Sequence, residues 1–142
     1  MTTVFTAGQK MRASDLNVFT ASAAASADTV MSGSIADITG ATVTFTTTHS
    51  NVSVIVNGVF DCDCIVATNT AIGYLSVDGV QQSAQAIIQF SANGNRVTAA
   101  QNWNVTLSSS GSHTLKLRGT QTGGTHTIHT QHTTLVCTVF DI

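Results

Sequence analysis

The dominant pattern along the chain is an alternation of apolar and polar residues with a period of two, which begins near residue 30. This period is typical of strands whose two faces meet different surroundings. Short clusters of Gly, Asn, Asp and Ser interrupt the alternation and indicate turns. The pattern predicts strands over residues 29–35, 41–48, 51–66, 70–77, 80–91, 96–108, 112–120 and 125–140.

Two dipeptides between the predicted strands carry the strongest turn signals. Asp78-Gly79 and Asn93-Gly94 suit the type I′ turns of β-hairpins, because Asp, Asn and Gly accept positive φ. The sequence contains no proline, so every predicted strand can use all of its backbone donors. About eight closely spaced antiparallel strands in one domain predict a β-sandwich or a small barrel.

The alternation also predicts which side chains face the core. Leu115 and Leu117 are expected to face inward and to leave Lys116 and Arg118 in solvent. In the final predicted strand, residues 135–140 are largely apolar on both faces. Such a strand is either central in a sandwich or pressed against another subunit. The scarcity of charge favours the contact with another subunit.

Residues 1–28 differ from the rest and are predicted to form a docking arm, with the β-sandwich over residues 29–142. Ser14 is a suitable N-cap for a short helix in which Leu16 and Phe19 share one face. A helix this short needs a surface to pack on, because it is not stable alone in water. A disordered leader is the alternative interpretation. The predicted assembly contacts of the arm are its main apolar side chains, Phe5, Met11, Leu16 and Phe19.

The composition favours a β protein and argues against several classes of function. Of the 142 residues, 42% are hydrophobic and only 8% are charged, against about 25% charged residues in a typical protein. All seven acidic residues are Asp, and the absence of Glu disfavours helices. A formal net charge of -2 gives no indication of the basic surface that binding to nucleic acid requires.

Membrane insertion and secretion are also disfavoured by the sequence. No apolar run approaches the roughly 18 residues of a membrane span, and the N-terminal residues lack the apolar core of a signal peptide. We therefore expect the chain to be assembled in a cytosol. Because so few charges would make a lone monomer poorly soluble, much of its surface is expected to be buried against partners.

The histidines and cysteines are the candidate metal ligands. His126, His129 and His132 lie three residues apart, a spacing that suits a helix; on a strand, such neighbours point to opposite faces. We therefore predict no metal and no cofactor, although three copies of one His on a threefold axis remain an alternative. The cysteines are predicted to be buried thiols, with a disulfide to Cys137 as the alternative; they are Cys62, Cys64 and Cys137.

Catalytic signals are weak, and no enzymatic activity is expected. Asp61 and Asp63 lie two residues apart on one predicted strand, whereas glycosidase carboxylates face each other across a cleft. No Gly-x-Ser-x-Gly motif or phosphate-binding glycine loop occurs. Trp103 and Tyr74 are the only large amphipathic rings available for stacking on a sugar, and Trp103 is predicted to lie in the core.

Two parts of the sequence resemble known protein families. The segment Phe5-Thr-Ala-Gly8-Gln-x-Met11-x-Ala-x-x-Leu16-Asn17 resembles the N-terminal motif of many virion proteins from phages of actinobacteria. Residues 73–79, 110–117 and 139–141 are similar in pattern to strands of jelly-roll domains of the C1q and tumour-necrosis-factor type. The resemblances imply a single jelly-roll-like β-sandwich of about eight antiparallel strands, preceded by the arm with its short helix. They also imply a homotrimer around a threefold axis.

The function implied is that of a phage virion structural protein, assembled in the host cytoplasm and located at the virion surface. The first hypothesis is a trimeric capsid decoration protein that attaches to the major capsid protein through its arm. The alternative is a minor tail or short tail-fibre protein whose jelly roll meets the host surface. A fibre would normally add a stalk of repeats or coiled coil, and this sequence has none. An enzyme such as a depolymerase is the least favoured hypothesis.

Overall fold

The alternating pattern becomes ten antiparallel strands in the computed structural model, which describes residues 17–64, 69–123, 126–128 and 132–142. In these described ranges there is no helix, and hence none long and apolar enough to cross a bilayer. The strands are β1 Asn17–Ala24, β2 Thr29–Met31, β3 Ala36–Thr47, β4 Val52–Cys64, β5 Thr70–Val77, β6 Val80–Gln89, β7 Arg96–Leu107, β8 Gly111–Thr122, β9 His126–Ile128 and β10 Thr134–Asp141.

The strands form two sheets packed face to face. In the large sheet, β4 pairs with β7 on one side, and β10 and then β9 follow one another along its other side. Strands β1 and β2 extend that sheet by pairing with β10 and β9. The small sheet has the order β3-β8-β5-β6. Since β3 to β4, β4 to β5, β6 to β7 and β7 to β8 all cross between the sheets, the topology is that of a jelly roll.

The core lies between the sheets and follows the predicted alternation. Leu115 and Leu117 of β8 are fully buried, while Lys116 and Arg118 point outward. Every second residue of β10 is also buried. The burial of these apolar side chains stabilises the sandwich through the hydrophobic effect. The largest fully buried apolar side chains are Phe60, Phe90, Met31, Ile38, Leu75, Leu115, Leu117 and Leu135.

Two glycines allow aromatic rings to lie directly against strand backbone. A Cβ at Gly73 in β5 would lie 2.5 Å from the ring of Phe60, which comes from β4 of the opposite sheet. A Cβ at Gly58 would lie 2.9 Å from both Trp103 and Leu117. The rings of Phe60 and Trp103 meet edge to face with centroids 6.4 Å apart. Glycine at these positions is therefore required by the close approach of the two sheets.

The strand and turn predictions are confirmed over most of the body. The predicted strand 70–77 coincides with β5, and β4, β6, β7 and β8 begin and end within two residues of their predicted limits. Asp78 and Gly79 have φ of 49° and 84°, as a type I′ turn between β5 and β6 requires.

The second predicted hairpin, at Asn93-Gly94, is wrong. The segment joins β6 of the small sheet to β7 of the large sheet, so its flanking strands do not pair with each other. Of the two residues, only Gly94 has a positive φ, of 76°. Its backbone N–H donates to the carbonyl of Cys64 at 2.7 Å, and Cys64 N–H donates to the carbonyl of Asn95 at 2.9 Å. These hydrogen bonds to the end of β4 satisfy backbone groups of the loop, which crosses between the sheets and does not form a hairpin.

The prediction of a helix through Phe19 is also wrong. Asn17–Ala24 is the strand β1, which pairs antiparallel with β10 from Asn17 opposite Asp141 to Ala24 opposite Thr134. The described part of the sandwich therefore includes residues 17–24, which the sequence pattern assigned to the arm, and the strand pattern that starts near residue 30 does not detect β1. Ser14 and Leu16 lie outside the described residues. Pairing with β10 overrides local helix propensity because it satisfies the backbone along the whole strand.

The predicted strand over residues 125–140 corresponds to two elements. His126–Ile128 forms β9, and Thr134–Asp141 forms β10. Both pair with β4, at different points along its length. The count of strands therefore rises from the expected eight to ten, since β1 is added and the last strand is divided.

The contact between Phe60 and Gly73 leads to a test of core packing. We expect Gly73→Ala to lower the free energy of unfolding by about 1–3 kcal/mol, because the new methyl group would overlap a ring that has no room to move. Urea denaturation followed by tryptophan fluorescence measures the change. The matched control is Gly33→Ala, since nothing lies within 4 Å of a Cβ there. Equal stabilities for the two variants would contradict this account of the core.

Candidate functional site: an assembly surface

The outer face of the large sheet carries exposed apolar side chains at its centre. Val18 of β1 lies directly opposite Phe140 of β10. Ile55 of β4 lies opposite Thr138, one step along the same face, and Val136 is its diagonal neighbour. Val18, Ile55 and Val136 are 48%, 48% and 37% exposed. Side chains at direct and diagonal positions are within contact distance across a sheet, so these residues form one continuous apolar surface.

The polar positions around this apolar surface carry no charge. On this outer face, side chains that are paired across β1, β10, β4 and β7 form rows, and four such rows follow one another. The first row contains Val18 and the last contains Ala24. Every outward-facing residue in these rows is apolar, Ser, Thr or Asn. Within the rows, Asn57 donates to the side-chain carbonyl of Asn102 at 2.7 Å. We name these four rows the assembly surface, because a face without charge can be covered by another protein without the cost of burying ions.

An ion pair borders the assembly surface at the β9 end of β4. Asp61 is fully buried, and its two carboxylate oxygens share the single N–H of Arg96 Nε, at 3.0 and 2.9 Å, while Arg96 Nη2 donates a further bond. Thr98 donates to the same carboxylate at 3.3 Å. A buried carboxylate needs such partners to remain ionised. The sequence suggested Asp61 only as a candidate acid, and the structure assigns it to this ion pair.

Asp141 joins three elements at the opposite end of the same sheet. Its carboxylate accepts the backbone N–H groups of Thr48 and His49, at 2.8 and 2.9 Å, and the Thr48 hydroxyl at 2.9 Å. It also contacts Nδ1 of His49 at 3.0 Å and accepts from the Asn17 amide at 3.2 Å. Burial on its own would raise the pKa of Asp141, but these hydrogen bonds hold it at about 2. The residue therefore ties β1 and the turn after β3 to the end of β10.

Of the four predicted arm contacts, one lies in the described part of the chain and three lie outside it. Phe19 is partly buried and meets Phe45 of the small sheet edge to face, with ring centroids 5.7 Å apart. It is therefore a contact within the sandwich, and its expected role in the arm is corrected. Phe5, Met11 and Leu16 lie outside the described residues. Asn17, the last residue of the phage-like motif, begins β1 and donates to Asp141.

The cysteines are confirmed as buried thiols that form no disulfide. Cys62, Cys64 and Cys137 are each at most 1% exposed and form no disulfide. Burial, followed by the charges of Asp61 and Asp63, raises the pKa of Cys62 to about 12. Burial likewise raises the pKa of Cys137. Thiols in this state behave as small hydrophobic groups.

The histidines do not meet as a cluster in the described part of the chain, where no three His, Cys, Asp or Glu side chains form a metal-binding group. His126 is fully buried and stacks on Phe90 with ring centroids 4.9 Å apart, while His132 is exposed. His129 lies outside the described residues. His113 contacts Asp78 through Nδ1 at 2.7 Å.

Trp103 lies in the core, as expected from the sequence. It is 4% exposed, and its Nε1 donates to the carbonyl of Ala84 at 2.8 Å. This bond links β7 of the large sheet to β6 of the small sheet. The indole is therefore used for packing, and Tyr74 is left as the amphipathic ring on the surface.

No family model matches this sequence. No curated protein matches it either. Several solved structures share its fold: Eiger TNF from S. frugiperda is 10% identical with a TM-score of 0.57, and the match covers 87% of this chain and 92% of that one. The infectious bursal disease virus VP2 subviral particle is 13% identical with a TM-score of 0.51, covering 97% of this chain and 36% of that one.

Dimeric latent PorU from Porphyromonas gingivalis gives a TM-score of 0.55 at 12% identity, and the match covers 89% of this chain but only 13% of that one. At identities this low, the likeness shows the fold alone. An all-β sandwich of the kind found in TNF-like and viral capsid proteins is thereby established.

The buried ring of His126 leads to a prediction of pH dependence. Among the described residues, neither of its nitrogens has a hydrogen-bond partner of normal geometry. Desolvation lowers its pKa below the ordinary 6.5, and the backbone and charge of Asp63 oppose this only in part. Unfolding therefore takes up a proton at His126 below pH 6.5. This residue's contribution to stability is complete above that pH and is lost as the pH falls towards the folded pKa.

We expect the free energy of unfolding of His126→Phe to fall less than that of the natural protein when the pH is lowered from 7.5 to 5.5. The difference should be up to about 1.4 kcal/mol for each pH unit below 6.5. Urea titrations at several pH values measure it. His132→Gln, which changes an exposed ring, should keep the slope of the natural protein. If His126→Phe kept that slope as well, His126 would not be the group responsible.

Proposed function

We propose that this chain is a structural protein of a phage virion, specifically a homotrimeric capsid decoration protein at the virion surface. Its body associates through the assembly surface, and residues 1–16 attach the trimer to the major capsid protein. The observation that carries the proposal is the assembly surface, the four uncharged and partly apolar rows on the outer face of the large sheet. The fold shared with VP2 and the phage-like motif up to Asn17 support a role in a particle, which would be assembled in the host cytoplasm.

The assembly surface suits self-association for a physical reason. Ile55, Val136, Val18 and Phe140 lose contact with water if a second copy covers them. Full burial of an exposed side chain of this size is worth about 1.5–3 kcal/mol, and covering these partly exposed side chains contributes a part of that. The surrounding Ser, Thr and Asn side chains can donate and accept hydrogen bonds, so they can pair with polar groups of a neighbouring copy. Three copies around an axis would bury this face on every subunit.

The position of β1 explains how one trimer can attach strongly. Among the described residues, β1 is an edge strand of the large sheet, and residues 1–16 are joined to the body at its first residue, Asn17. A trimer therefore presents three such segments together. Once one of them binds the shell, the others act at high effective concentration, so modest individual contacts add to tight attachment.

A minor tail or short tail-fibre protein is the alternative function. One observation favours it: the outer face of the small sheet has a groove that contains Asp37, Asp78, Lys116 and Arg118. Such a polar surface is suited to recognition of a ligand. In that case the partners of residues 1–16 would be tail proteins.

The proposed interface is tested by placing a charge on the assembly surface. We expect Ile55→Glu to convert the trimer to a monomer, because three carboxylates would be brought into an apolar contact. Light scattering on a sizing column should give three times the 14.7 kDa chain mass for the natural protein and the chain mass for the variant. The control is Ile87→Glu on the small sheet, where Ile87 is 59% exposed. A monomeric natural protein, or a trimeric Ile55→Glu, would exclude this interface.

The role of the N-terminal segment is tested by truncation before β1. Deletion of residues 1–16 should leave the trimer intact and abolish co-sedimentation with particles that lack the native copy. Leu16→Asp should weaken co-sedimentation as well, because it puts a charge in an apolar contact. Deletion of residues 1–28 should in addition lower stability, because it removes β1 and Phe19. Full co-sedimentation without residues 1–16 would show that the body makes the attachment.

A further inference from the structure

The outer face of the small sheet differs chemically from the assembly surface. One row across β3, β8, β5 and β6 places Asp37, Arg118, Tyr74 and Gln85 side by side. Adjacent strands lie about 4.8 Å apart, so the row extends over about 14 Å. An acid, a cation, an aromatic ring and an amide thus follow one another on an accessible surface.

The charged groups of this face are held in place by one another. Asp37 accepts from Lys116 Nζ at 2.8 Å and from Arg118 Nε at 2.9 Å. Arg118 also donates to the carbonyl of Ile35 at 3.4 Å. The hydrogen bond from Lys116 is the main cause of the lowered pKa of Asp37, which burial opposes and Arg118 reinforces. The carboxylate and both cations are therefore oriented before any ligand arrives.

A second carboxylate forms the other wall. Asp78 accepts the backbone N–H of Thr114 at 2.7 Å and contacts Nδ1 of the buried His113 at 2.7 Å. Its own side chain remains 43% exposed. Between the two carboxylates lies an open groove of about 490 Å³, lined by Asp37, Ser76, Asp78, Gly79, Thr114, Lys116 and Arg118.

The charges in the groove limit the chemistry of its ligand. The two carboxylates and the two cations cancel, so a polyanion gains no net attraction there. Donors and acceptors alternate along the groove: carboxylate oxygens accept, while the ammonium and guanidinium groups donate. A ligand hydroxyl both donates and accepts, so a polyhydroxylated ligand can use both kinds of group. Tyr74 lies opposite Arg118 in the register and so adjoins the groove, where its ring can contact an apolar patch of such a ligand.

We propose that the groove between Asp37 and Asp78, together with Tyr74, is a binding site for a neutral carbohydrate. The site and the assembly surface are on opposite sheets, so a trimer can bind sugar while its large sheets are covered. The proposal applies equally to a decoration protein and to a tail protein, and it does not require the trimer.

The experiment uses the full chain on a printed array of neutral and acidic oligosaccharides, followed by calorimetry with the neutral glycans that are retained. We expect Lys116→Ala and Asp78→Asn each to weaken the binding by about ten-fold, because each removes a charged hydrogen-bonding group. Asn keeps the turn conformation of Asp78, since it accepts the same positive φ. Gln89→Ala is the control, because Gln89 is exposed on β6 at the far end of the same sheet.

Three outcomes would overturn the proposal. They are retention of acidic glycans alone, retention of no neutral glycan, and neutral binding that Lys116→Ala and Asp78→Asn leave unchanged. Melting temperatures of the variants show whether a loss of binding reflects unfolding. Light scattering on the same samples reports the oligomeric state, so failure of sugar binding is distinguished from failure of the trimer.

Discussion

The face-to-face packing of the two sheets is the constraint on which the rest of the structure depends. The ring of Phe60 crosses from the large sheet to the backbone of the small sheet at Gly73. Trp103 fills the adjacent space and bonds to Ala84 of the small sheet. Because these rings join the two layers, the outer faces are held apart and can acquire different chemistry. The four rows of the assembly surface on one face are without charge, and the other face presents paired ions.

The features that depend on short sequence separations were predictable. Strands such as β5 and β8 follow from alternation, because each must bury one face and expose the other. The turn at Asp78-Gly79 follows from the φ values that only a few residue types accept. The burial of Trp103 and of the cysteines follows from the same alternation and from their apolar character.

The features that the sequence did not reveal depend on contacts between distant parts of the chain. The Ala and Ser residues of β1 have little intrinsic strand preference, and only the pairing with β10, at the other end of the chain, makes them a strand. His49 and Asp141 are 92 positions apart, and Asp78 and His113 are 35 apart. The groove likewise combines Asp37 with residues of β8 about 80 positions away. One local signal was present: Phe19, Ala21 and Ala23 alternate with polar residues in most of β1.

The buried thiols have a consequence for the chemical durability of the protein. A thiol reacts with oxidants and disulfides mainly as its thiolate, and with a pKa of about 12, Cys62 is almost entirely protonated at neutral pH. None of the three sulfur atoms is accessible to a reagent in the folded chain. The folded protein can therefore move from a reducing to an oxidising medium without forming covalent cross-links. The lifetime of these thiols there is set by how rarely the body unfolds, since only unfolding exposes the cysteine sulfur atoms to damage.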